Sequence, residues 1–117
     1  MSGDLARINR EIQEIENIIN TYSLEAKRVV VFITPEQRDE IYRNIVIRSN
    51  AADRLHEIEG ELNQKTKPSG PLVKNRDNWI MKLKYVRERI DNLKIAQNCE
   101  INVLKHNNFP IPENKLH

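Results

Sequence analysis

The sequence predicts an all-α fold, an antiparallel three-helix bundle with long helices, on three observations. Charged residues make up 31% of the chain, aromatics only 5%, and there are three glycines, a balance rich in helix formers and poor in the residues that build sheets and tight turns. Apolar residues recur at steps of three and four, the helical period. Two joints containing proline, "TPEQ" and "NQKTKPSGP", divide the chain into three segments, each about 45 Å long if helical throughout. A chain of 117 residues is one domain, with room for one core.

The first helix is expected near 4–32. Its apolar residues fall at Leu5, Ile8, Ile12, Ile15, Ile19, Tyr22, Ala26, Val29 and Ile33, a heptad seam with polar residues between. The end of this segment, "RVVVFI", is rich in β-branched residues, which lose side-chain freedom in a helix and could instead run extended. In "TPEQ", Thr34 can cap, Pro35 suits the first helical position and Gln37 completes a capping box. The second helix, 35–63, therefore starts here. Its apolar row of Ile41, Ile45, Ala52, Leu55, Ile58 and Leu62 is interrupted by Arg48, and Ala51 with Ala52 admits a close neighbour. Gly60 weakens its end and the prolines of "NQKTKPSGP" stop it.

The third helix, 75–106, takes Asn75 or Asp77 as its cap, and its seam runs from Trp79 through Leu83, Val86, Ile90, Leu93 and Gln97 to Ile101 and Leu104. Together these make a domain over 1–107. The remainder, 108–117, has two prolines and several turn formers and reads as an irregular tail, in which fraying of Phe109 is favoured over its docking on the bundle. If the linker with "PSGP" stays extended, helix three packs on a second copy, so exchange of that helix between chains is left open.

Several functions are disfavoured by composition. A net charge of +2 is too balanced for a phosphate-binding surface, so nucleic acid is not expected. The longest apolar run, "VVVFI", has five residues against roughly twenty for a membrane span, and no signal-peptide core is present. One cysteine, Cys99, with scattered His56, His106 and His117, offers neither a disulfide framework nor a zinc site, which suits a cytoplasmic protein without a cofactor. No nucleophile stands beside a base, and Glu57, Glu59 and Glu61 spread around helix two rather than converge, so an enzyme is not expected. Trp79 on the seam is simplest as a core residue.

Beside the apolar row of helix three lies a basic flank. At 100° per residue Arg76, Arg87 and Lys94 fall within about 20° of one another, with Lys84 and Ile80 beside them. Such side chains usually lay their methylenes over a core edge and pair locally, as Arg87 could with Asp91. The alternative is a docking surface, acidic groups of helix two beside basic groups of helix three, for a partner with the opposite pattern.

Here the sequence resembles the BAG domain, a three-helix co-chaperone module. In "RDNWIMKLK" and "RID", Arg76, Trp79, Ile80, Lys82, Leu83, Ile90 and Asp91 follow the family's third-helix pattern, and "LHEIE", Leu55 to Glu59, is similar to the end of its second helix. The resemblance covers roughly residues 5–100, though its specific part is short. It implies binding to the nucleotide-binding domain of the seventy-kilodalton heat-shock chaperone, and action as a nucleotide exchange factor that promotes ADP release and client release. It also implies a central ionic contact from Arg76, with Glu59 in place of the family's Asp and Lys82 nearby. Two family positions are rewritten: its Gln falls on Lys84 and its Glu on Ser49. With Arg87 from the basic flank, these six residues are the expected chaperone-binding set. Members commonly carry a second domain on the N-terminal side, so whether the chain is one domain of something longer is left open. The alternative is a homo-oligomeric coiled-coil adaptor or scaffold in which the Leu5 to Ile33 seam pairs between chains.

Overall fold

The computed structural model describes residues 2–26, 32–67 and 76–112. Within them the chain is helical, with α1 at Ser2–Ala26, α2 at Pro35–Lys65 and α3 at Arg76–His106, and no strand occurs among the described residues.

Helix α1 follows its isoleucine seam. Ile8, Ile12 and Ile15 are buried, and Leu5 and Ile18 lie half-buried beside them against α2 and α3. The narrow stripe is flanked by charges that tie both edges down: Arg7 to Glu61 and Glu14 to Arg54 on α2, and Glu16 to Arg89 on α3. The side chains of Ile19, Tyr22 and Ala26, and all of Val29, lie outside the described residues. A helix reaching residue 32 is not what forms. Phe32 sits in a bend and Ile33 and Thr34 are non-helical. The reason is local, because the capping box needs Thr34 in extended backbone (φ −80°, ψ 163°), a conformation that an incoming helix cannot enter.

That box starts α2. The Gln37 N–H donates to Thr34 Oγ1 at 3.2 Å while the Thr34 N–H donates to Gln37 Oε1 at 2.9 Å, and Pro35 occupies the first turn. The helix then runs through Gly60 to Lys65. Its buried face is wider than the expected row and includes Asn44, Arg48 and Ser49, because α2 packs against both other helices. On α3 the expected seam is buried throughout, together with Ala96 and Glu100.

The apolar side chains form two clusters. The larger joins Ile8, Ile12 and Ile15 to Leu55, Leu62, Trp79, Val86 and Leu93. The smaller lies where the start of α2 meets the end of α3, around Ile41, Ile45, Ile101 and Leu104. Between them in sequence on both helices are the buried polar residues Arg48 and Ser49 of α2 and Gln97 and Glu100 of α3. Arg48 Nη2 is ion-paired with Glu100 Oε1.

The chain beyond α3 is docked rather than frayed as far as it is described. Asn108 has φ 60°, which lets the Asn108 N–H reach the Lys105 carbonyl at 3.1 Å and the Phe109 N–H reach the Leu104 carbonyl at 3.0 Å, a paired C-cap built on one left-handed residue. The turn aims Phe109 back at the smaller cluster, under the Arg38 guanidinium at 5.2 Å. The Tyr42 hydroxyl donates to the Pro110 carbonyl at 2.8 Å, and Asn107 Oδ1 accepts from the Ile33 N–H at 3.2 Å. Asn108→Gly should hold or raise stability by up to about 1 kcal/mol, whereas Asn108→Val should cost about 1 kcal/mol or more, because glycine enters this region freely and a β-branched residue does not. Urea unfolding of the two variants checks the sign.

Candidate protein-docking face

The expected contact residues divide between two edges of α3. On the edge facing α2, Arg87 Nε lies 3.1 Å from Glu59 Oε2. His56 Nδ1 stands 3.5 Å from the other oxygen of the same carboxylate, Oε1. One turn of α2 thus supplies His56 and Glu59 to a half-exposed junction that ends on the exposed Arg87. Glu59 is held in place from α3, as a docking carboxylate has to be, and the junction stays open to water, so its ion pairs are worth little to stability.

Arg76 opens α3 and is exposed. Its Nη2 donates to the Thr66 carbonyl at 3.1 Å, on the residue that caps α2, so the side chain leans across the end of the α2–α3 pair. Ile80, also exposed, lies one turn further along, and Lys84 points outward beside it. Arg76, Ile80, Lys84 and Arg87 therefore form a cationic ridge with one apolar interruption, bordered by Glu59.

Two of the six residues do not join it. Ser49 lies on the buried face of α2, where it offers little surface to a partner. Lys82 lies on the opposite edge of α3, lining a groove with Leu5 and Asn9 of α1. The six steps from Arg76 to Lys82 turn the helix by about 600°, which leaves the two side chains roughly 120° apart.

The three alternating carboxylates diverge, with Glu59 on α3, Glu61 on Arg7 of α1, and Glu57 in solvent. Attraction by Glu61 is the largest influence on the Arg7 guanidinium and raises its pKa above the ordinary value; an arginine is charged at neutral pH regardless. Among the described residues no group of histidine, cysteine or carboxylate side chains could hold a metal ion, and no helix is long and apolar enough to cross a membrane. Sequence reading missed the buried polar residues. Arg48 stood out only as a break in an apolar row, and the signal for its partner was Glu100, an acid flanked by the seam positions Gln97 and Ile101.

No protein-family model, curated protein or solved structure matches the chain.

Proposed function

We propose that the chain is a non-enzymatic co-chaperone module of BAG type, acting in the cytoplasm. Its α2–α3 face would bind the nucleotide-binding domain of the seventy-kilodalton heat-shock chaperone. One observation carries the reading: the ridge of Arg76, Lys84 and Arg87 runs beside the preset carboxylate of Glu59 on an open face of two packed helices. Such a surface suits a partner that offers acids to α3 and a cation to Glu59. An antiparallel bundle is supported by the register of contacts, since Arg7 and Glu14 meet Glu61 and Arg54, while Arg48 and Glu59 meet Glu100 and Arg87.

No chemistry is asked of the module. It binds an open nucleotide cleft more tightly than a closed one, so it lowers ADP affinity by the same factor by which ADP lowers its own. ADP leaves, ATP enters and the client is released. In this reading the module acts as a single chain, because Ile8, Ile12 and Ile15 are already covered by the chain's own α2 and α3, which leaves that seam little to offer a second copy.

Mixing the protein with the isolated nucleotide-binding domain and following fluorescent ADP should show accelerated release. Arg76→Ala should weaken binding by about 2 kcal/mol, roughly thirtyfold, with helicity unchanged. Unchanged ADP release at micromolar protein removes the proposal, and a collapse of helicity in the variant would make Arg76 a structural residue.

A further inference from the structure

The α1–α3 edge carries a surface that the proposed chaperone contact does not use. Leu5 and Asn9 of α1 and Asn78, Met81, Lys82 and Tyr85 of α3 line an open groove of about 350 Å³. Its floor is apolar and open to solvent, for Met81 is 71% exposed, and a flexible, polarisable thioether is suited to an incoming side chain of irregular shape.

Charge says what the groove would accept. Lys82 Nζ stands 5.4 Å from the centre of the Tyr85 ring, and the Arg89 guanidinium stands 4.9 Å from it. Among the described residues no acid lines the groove. Glu16, the nearby carboxylate of α1, is engaged by Arg89 at 3.1 Å. The groove therefore combines an apolar floor with a cationic rim, while Asn9 and Asn78 bring amides that can both donate to and accept from a peptide backbone.

We infer that this groove docks an acidic segment of another protein, which places a bulky apolar side chain between Leu5, Met81 and Tyr85 and a carboxylate on Lys82. The occupant is specified by complementarity: apolar to fill the floor, anionic to match the one rim cation that makes no ion pair among the described residues, and extended or helical so that its backbone meets the two asparagines. The site lies on the other edge of α3 from Glu59 and Arg87, so it is independent of the chaperone reading, and both surfaces can be occupied at once.

The chain has two methionines, so a ¹³C-methyl methionine label gives two signals, and Met81→Leu assigns the one in the groove. The probe is the amidated hexapeptide Asp-Glu-Leu-Phe-Asp-Glu, with Lys-Lys-Leu-Phe-Lys-Lys as its charge-reversed counterpart. The acidic probe should shift the Met81 methyl and saturate below about 1 mM, and the basic one should not. Lys82→Glu should weaken the acidic probe at least tenfold, while Lys105→Glu, the same charge change at the exposed far end of α3, should leave it as it was. Equal binding of both peptides, a motionless Met81 methyl, or an equal loss in Lys105→Glu would each overturn the inference. Circular dichroism of both variants keeps loss of fold from being read as loss of binding.

Discussion

Arg48→Met alone should lower stability by about 3 to 5 kcal/mol, whereas the double variant Arg48→Met, Glu100→Leu should recover most or all of it. Arg48 is 0% exposed and Glu100 5%, and their ion pair joins α2 to α3 between the two apolar clusters. With the arginine removed, the Glu100 carboxylate stays almost wholly buried, and the neighbouring buried polar residues Ser49 and Gln97 carry no charge to offset its own. With both charges removed, two apolar side chains of similar volume fill the layer and no desolvation penalty remains. The single variant should melt on the order of 12 to 20 °C lower, the shift expected when a few kcal/mol is lost from a domain of this size. Its cost should be nearly the same at low and high salt, because screening reaches exposed pairs far more than buried ones. A single-variant loss below about 1 kcal/mol would mean that the layer is wet.

The same residues mark the limit of what could be read from sequence. The seam of α3 and the described first part of the α1 seam were legible because a helix with one buried stripe writes it at the helical period, and Ile8, Ile12, Ile15, Trp79, Leu83 and Leu93 are buried as that period requires. The α1–α2 joint was legible because a capping box is wholly local, four residues satisfying one another's backbone groups. Where the outcome depends on distant residues, the pattern fell short. Arg48 looked like a flaw in the α2 row, since its partner lies on another helix. Ser49 fell on the buried face because α2, packed on both sides, buries more than a stripe. Phe109 looked free to fray because its return depends on the left-handed turn at Asn108 and on Arg38 and Tyr42 of α2.

The candidate docking face was legible for a different reason and in a different part. Arg76, Lys84 and Arg87 share one side of α3 by angle alone, and Glu59, expected from the resemblance, lies 3.1 Å from Arg87 beside them. Lys82 entered the set through order along a motif, which does not record direction. Angle separates it from Arg76, and the neighbours that give it a role, Leu5 and Asn9, are contributed by α1.

Ile12→Asp is expected to unfold the chain as a monomer. Ile12 sits at the middle of the α1 seam, 3% exposed, between Ile8 and Ile15, in a cluster with residues of α2 and α3 of the same chain. Truncating a buried isoleucine costs about 2 to 5 kcal/mol by itself, and an unpaired carboxylate in the cavity adds its own desolvation. The sum rivals the entire 5 to 15 kcal/mol that holds a typical domain together. In the single-chain reading, far-ultraviolet circular dichroism should lose most of its helical signal while sedimentation reports the monomer mass for both the parent and the variant. If α1 instead paired between chains, the parent would sediment as an oligomer through the micromolar range, and the variant would dissociate with α2 and α3 still helical. The milder Ile12→Val separates the same alternatives without unfolding anything. A loss of about 0.5 to 1.5 kcal/mol that does not depend on protein concentration belongs to a core inside one chain, and one that grows on dilution belongs to an interface.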